Sequence, residues 1–186
     1  MTFRSVNLDS NDCGVDCPQV IVADGVIEAG TPQAFVDFAK QAPPSRRLRI
    51  FMNSPGGNVA ASMELGEDFR RLRAAVEVAG FASVGSRSGP VPGQCLSACV
   101  YALMGATQRV APPWSHIGLH RMSLGAPDES GGGLADRRMV ATLAGYAVRM
   151  GVSPALVWRA ESLTPGTLHI LSSAEIARWR LASTRF

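Results

Sequence analysis

The sequence predicts a single α/β domain, and two observations carry that prediction. A strand–turn–helix unit recurs along the chain, with short β-branched runs ending at Gly, Asn or Asp and leading into segments of helical periodicity. The chain is also long and apolar enough for one packed core: 186 residues, 46% hydrophobic and 18% charged, which argues against disorder. Residues 1–18 read as an irregular lead-in and 19–186 as one domain, with no long internal repeat.

Gln19–Ala23 is the first strand; it ends at the turn signal Asp24-Gly25, and Val26-Ile27 continues it after the bend. Thr31-Pro32 supplies a cap and a first-turn proline for a helix to about Gln41, with Phe35 and Phe38 on one face and Pro43-Pro44 as its stop. Leu48–Met52 is the next strand and runs into Asn53-Ser54-Pro55-Gly56-Gly57-Asn58, whose glycines permit a sharp turn with exposed N–H groups. A helix over about Val59–Ala74 follows, with arginines near its C-terminus, where positive charge suits the dipole. Ala75–Ser83 reads as a strand, Val84–Pro92 as a loop bordering the next turn, Ala98–Ala106 as a helix, and Gln108–Ala111 and His116–His120 as short strands. Met122–Gly133 has the composition of a mobile loop. Leu134–Met150 has helical spacing in Met139, Leu143, Tyr146 and Met150; a shorter helix runs from Ser153-Pro154 to about Glu161; and Ser172-Ser173-Ala174-Glu175 fits a capping box opening a last helix.

Charge and composition exclude several classes. The formal charge is +3, from 17 arginines and Lys40 against 15 carboxylates. The clusters Arg46-Arg47-Arg49 and Arg70-Arg71-Arg73 lack any accompanying aromatic or groove-reading motif, so no nucleic-acid partner is expected. No apolar run reaches the roughly 18 residues of a membrane span, and residues 1–18 lack the apolar centre of a signal peptide. As written the sequence reads as cytoplasmic; an upstream signal would make it periplasmic. Cys13 and Cys17 lie in a turn-rich stretch where a small disulfide loop is feasible, whereas Cys95 and Cys99, if both helical, read as small buried thiols. No third ligand joins His116 and His120, so neither metal nor cofactor is expected.

The chemistry concentrates in Gly93-Gln94-Cys95-Leu96-Ser97-Ala98-Cys99 and in His120. Ser97 stands where a loop becomes a helix, so its hydroxyl shares a place with free backbone N–H groups. The run His116–His120 can bring an imidazole to it, which reads as a serine hydrolase site with Ser97 as nucleophile and His120 as base.

Taken together, Asn53-Ser54-Pro55-Gly56-Gly57, Gly93-Gln94-x-x-Ser97, Pro113-x-Ser115-x-Ile117-Gly118-Leu119-His120 and Ile170-Leu171-Ser172 resemble the peptidase subunit of Clp protease, within the ClpP/crotonase superfamily. The likeness spans roughly residues 19–182 and includes the 23-residue step from Ser97 to His120. The Cys-Leu-Ser-Ala-Cys variant resembles a bacterial, periplasmic-protein-like branch. The resemblance implies stacked strand–strand–helix units, an oxyanion hole from the N–H groups of Gly57 and Ala98, and a homo-oligomer. It also implies a peptide or a small ester or amide as substrate, with a partner ATPase left open. At the family's aspartate position stands Leu168, which cannot accept from an imidazole N–H. Glu161 and Thr167 are the substitutes in reach, alongside a backbone carbonyl or water, while Glu175 is committed to capping. Two further readings follow: a catalytically weak or silent member serving as a peptide-binding or assembly module, and a crotonase-like acyl-CoA enzyme.

Overall fold

The architecture is that of a computed structural model describing residues 1–8, 19–41, 48–84, 87–124, 133–134 and 137–185. Its main sheet is built of β1 (Thr2–Asn7), β2 (Gln19–Asp24), β3 (Arg49–Asn53), β4 (Ala75–Val78) and β8 (Gln108–Val110), in that spatial order. β1 runs antiparallel to β2, and the other pairings are parallel. Val20–Ala23 and all of β4 are buried, as parallel strands covered on both faces must be. Ile21, Ile50, Met52, Val76 and Val78 face the main core, while Val20, Val22 and Phe51 face a smaller cluster with Ala79 on the opposite side.

That second face explains two departures from the sequence reading. Thr2–Asn7 is a strand, not part of an irregular lead-in: Phe3 packs toward the main core beside Phe35 at 5.5 Å, and Val6 packs on the smaller cluster. The expected strand over 75–83 and loop over 84–92 become β4 followed by an antiparallel hairpin of β5 (Gly80–Val84) and β6 (Arg87–Val91). Phe81 of the hairpin stacks on Phe51 at 6.4 Å, so this segment covers the outer face of the sheet. The Cys13/Cys17 pair and Pro43-Pro44 lie outside the described residues, as does most of the loop expected over 122–133.

Helices α1 (Thr31–Ala39), α2 (Val59–Arg71) and α3 (Cys99–Gly105) follow β2, β3 and β7 (Gln94–Leu96). Thr31 does not cap α1 through its side chain; its hydroxyl accepts from Glu28 N in the preceding turn at 2.9 Å. α2 and α3 cross at Gly66 and Gly105, where a Cβ on Gly105 would lie 1.9 Å from the Gly66 carbonyl oxygen. The Tyr146 hydroxyl of α4 (Arg137–Arg149) closes this crossing, donating to the carbonyls of Tyr101 (2.9 Å) and Met63 (3.1 Å). α5 (Ala155–Glu161) and α6 (Ser173–Arg178) complete the helices, and α6 opens with the expected Ser172–Glu175 capping box. No helix among the described residues is long and apolar enough to cross a membrane.

The second sheet sets the site. β9 (His116–Leu119) pairs parallel with β7 and antiparallel with β12 (His169–Ile170), and β10 (Ser123–Leu124) pairs antiparallel with β11 (Gly133–Leu134). The register Leu96↔Gly118 brings Ser97 and His120, each just past its strand, out at the same end of the sheet. Parallel pairing thus closes a gap of 23 residues.

Candidate active site

Two strand-to-helix turns meet here. In the first, β3 leads through Asn53–Asn58 into α2, and the turn is pinned to β7: Ser54 N donates to Gln94 O (2.7 Å), Leu96 N to Ser54 O (3.0 Å), and Gln94 N to Asn53 Oδ1 (2.9 Å). Ser54 Oγ accepts from Gly56 N, and Asn58 Oδ1 caps α2 by accepting from Ala61 N. Ile27 bridges this turn by donating to Gly56 O and accepting from Asn58 N, both at 2.8 Å. The bridge uses the neighbours of Gly57 and leaves Gly57's own N–H out. Glycine is required at this point: φ is +141°, and a Cβ would stand 2.1 Å from the Ile27 carbonyl oxygen.

The second turn carries Ser97 from β7 into α3. Ser97 has φ +55°, a left-handed conformation that non-glycine residues hold only when their surroundings enforce it. Ser97 N donates to Gly118 O at 2.8 Å, and Ser97 O accepts from Val100 N. Across the turn, Cys95 and Cys99 form a disulfide with Cα atoms 5.2 Å apart. This corrects the expectation of free thiols. That expectation assumed both cysteines helical, whereas Cys95 is in a strand and the reversal at Ser97 folds the two side chains together. Among the described residues neither Gly57 N–H nor Ala98 N–H has a hydrogen-bond acceptor. The turns are in contact: a Cβ on Gly56 would be 2.9 Å from Ser97 Cβ and 3.1 Å from Ala98 N.

His120 is half-buried, and its Nδ1 lies 2.7 Å from the carbonyl oxygen of Arg121. A carbonyl only accepts, so Nδ1 carries the hydrogen and the lone pair is at Nε2. No hydrogen bond joins Ser97 Oγ to His120 among the described residues. In ligand-free sites such bonds are often long and tighten when substrate arrives.

Ser97 and His120 stand between two cavities. One, of about 210 Å³, is lined by both of them and by Gly57, Ala98, Tyr101 and Glu161. The other, of about 290 Å³, is lined by both and by Pro55, Leu96 and Leu168. The smaller cavity shares Gly57, Val59 and Met122 with an adjoining cleft of about 930 Å³.

The remaining sequence candidates separate clearly. Leu168 reaches the site and is half-exposed, so an apolar side chain occupies the ground beside His120. Thr167 is exposed and lines neither cavity. Glu161 lines the smaller cavity, its Oε1 accepting from Met122 N at 3.3 Å. Glu175 is occupied by its capping box and by His169 Nε2 at 2.8 Å. Those contacts, first of all with the Ser172 backbone N–H, hold its carboxyl down at about 2. His116 is exposed, and no metal-holding group of residues occurs among the described ones. Of the Val84–Pro92 segment, expected to border the site, no described residue lines these cavities. Tyr101 and Met122 carried no signal as site residues: Tyr101 read only as part of the Ala98–Ala106 helix, and Met122 as the start of the loop over 122–133.

No family model matches the sequence, and no curated protein is recognisably similar to it. Among solved structures, the 1510-N membrane-bound stomatin-specific protease is similar at TM-score 0.62 and 17% identity over 89% of this chain and 78% of that one. A second structure of that protease, in complex with a substrate peptide, gives 0.61 at 17% identity over 89% and 74%. ClpP1 from Listeria monocytogenes gives 0.56 at 16% identity over 87% and 86%. The chain therefore has a ClpP-like fold, of the ClpP/crotonase kind that its motifs led us to expect.

Proposed function

We propose that the chain is a serine hydrolase of peptidase type, with Ser97 as nucleophile and His120 as general base. The observation that carries this reading is the convergence of Ser97, His120, Gly57 and Ala98 on one cavity. Ser97 Oγ attacks the carbonyl carbon of an amide or ester while its proton passes to His120 Nε2. Negative charge gathers on the carbonyl oxygen, where the unpaired N–H groups of Gly57 and Ala98 receive it; one such donor is worth about 3–4 kcal/mol at the transition state. Collapse leaves the acyl group on Ser97, and His120 hands its proton to the departing amine or alcohol. Water then attacks the acyl carbon, gives its proton to His120, and Ser97 recovers it as the acid product leaves.

In this reading the Arg121 carbonyl takes the orienting role that the family gives to an aspartate, and Leu168 fills the aspartate's place. The carbonyl selects the correct tautomer but brings no negative charge to steady the imidazolium. Turnover is accordingly slow, and peptides are favoured as substrates by the peptide-bound state of one structural neighbour. Assembly into a homo-oligomer belongs to the same proposal and is read by light scattering.

A fluorophosphonate probe tests the reading directly. The intact protein is labelled, Ser97→Ala abolishes labelling and His120→Ala slows it. A folded protein that never labels overturns the proposal. The second reading, a silent peptide-binding or assembly module, is favoured by Leu168 and by the absence of a Ser97–His120 hydrogen bond among the described residues. It predicts peptide capture without turnover, unchanged by Ser97→Ala.

A further inference from the structure

Glu161 stands in an unusual place for a carboxylate. It is the last residue of α5, at the end where a helix dipole disfavours negative charge. It is half-buried, and its one hydrogen bond among the described residues is from Met122 N at 3.3 Å. No ion pair engages it there, although the chain carries 17 arginines. Arg159, in the same turn, donates instead to Ser162 Oγ at 3.4 Å. Beside Glu161 in the cavity is Tyr101, which is 5% exposed and whose hydroxyl has no hydrogen-bond partner among the described residues. Burial first, and the Glu161 charge second, push that hydroxyl above its ordinary value and keep it neutral. The other walls are apolar: Val59, Leu119, Met122 and Ala160.

We propose that this cavity is a specificity pocket for a lysine or arginine side chain of the substrate, with Glu161 as the residue that selects it. The inference rests on the serine-hydrolase reading for its orientation. A carbonyl held by Gly57 N–H and Ala98 N–H places the side chain of its own residue in the cavity that those groups line. About 210 Å³ accommodates one side chain, below the roughly 300 Å³ at which small-molecule pockets begin. The apolar walls pack against the methylene stem, and the carboxylate, without an ion pair among the described residues, meets the cationic head together with the hydroxyl. Desolvating that head needs a partner of opposite charge, which Glu161 supplies and a wholly apolar pocket would not.

The test compares two pentapeptide amides, Ala-Ala-Xaa-Ala-Ala with Xaa lysine or norleucine, which differ by the ammonium group. Their binding to the full-length Ser97→Ala protein is measured by calorimetry, so no turnover is required. The lysine peptide binds at least about tenfold more tightly, the factor one charge-assisted hydrogen bond supplies. That preference disappears in the Ser97→Ala/Glu161→Gln double variant. Equal or tighter binding of the norleucine peptide, a preference that survives Glu161→Gln, or no measurable binding of either peptide overturns the proposal. Where the wild type turns over ester analogues, Glu161→Gln raises KM for lysine alone. An equal fall in kcat for both would assign Glu161 to the chemistry instead and likewise overturn it. Failure of the hydrolase reading shows separately, as absent fluorophosphonate labelling.

Discussion

The two turns that form the site do similar work by different means. Both lead from a strand into a helix, and both carry a backbone N–H with no acceptor among the described residues, at Gly57 and at Ala98. The Gly57 turn is shaped by what it lacks: without a Cβ, it lets Ile27 close to a distance no side chain permits. Hydrogen bonds from Ser54, Gln94 and Asn58 then fix it. The Ser97 turn does not use that solution: its central residue is a serine, whose hydroxyl is the nucleophile in the function we propose. It holds a serine at φ +55° and is fastened by the Gly118 carbonyl and a disulfide across the turn. Where a serine stands in place of glycine, a covalent bond and a neighbouring strand hold the left-handed backbone.

The sharpest way to break the parallel is Gly57→Ala. The new methyl meets Ile27 O, so the turn must open; we expect at least about 3 kcal/mol of lost stability and no fluorophosphonate labelling, by thermal unfolding and gel fluorescence. Removing both cysteines as Cys95→Ala/Cys99→Ala takes away a closed loop of five residues and is expected to cost about 2 kcal/mol on chain-entropy grounds. Labelling slows without vanishing, because Gly118 O still holds the turn. Next comes a pair of variants: Ser97→Gly and Ser97→Ala both lose labelling, but the glycine variant is the more stable by about 1 kcal/mol. Equal stability would mean that the φ of Ser97 carries no strain.

The smallest effect lies outside both turns, at Glu175. Its carboxyl is held down at about 2, so its folded value is below its unfolded one. The stabilisation is fully present above the ordinary glutamate range and is lost as pH falls from there toward 2. Glu175→Gln should flatten the acid limb of an unfolding curve over that window and leave stability near neutrality lower than wild type.

Much of the fold was legible because local chemistry and tertiary role agreed. The capping box at Ser172 and Glu175, the Asn58 turn before α2 and the helical spacing of Leu143 and Tyr146 each state their structure within a few residues. The Ser97 and His120 placement was legible through motif and resemblance. What was missed depends on distant partners. β1 has no clean alternation because both of its faces are partly covered, by Phe35 on one side and the Val20 cluster on the other. β5 was read as the end of one long strand and β6 as loop, because Gly, Ser and Pro are tolerated in a strand pair that lies outside the main sheet. The disulfide was hidden because the thiol reading considered Cys95 and Cys99 only as both helical, and which backbone carbonyl meets His120 was hidden because every residue has one.

The close crossing of α2 and α3 is, in its geometry, a fulcrum. Gly66 lies nine residues beyond Gly57, and Gly105 seven beyond Ala98, so both free N–H groups sit at the ends of arms about 10–13 Å long at 1.5 Å rise per residue. A relative tilt of about 5° at the pivot moves an arm's end by roughly 1 Å, the scale of misplacement that costs about 10²-fold in rate. A methyl wedged in at Gly105 would therefore detune the proposed site from a distance, touching neither Gly57 nor Ala98.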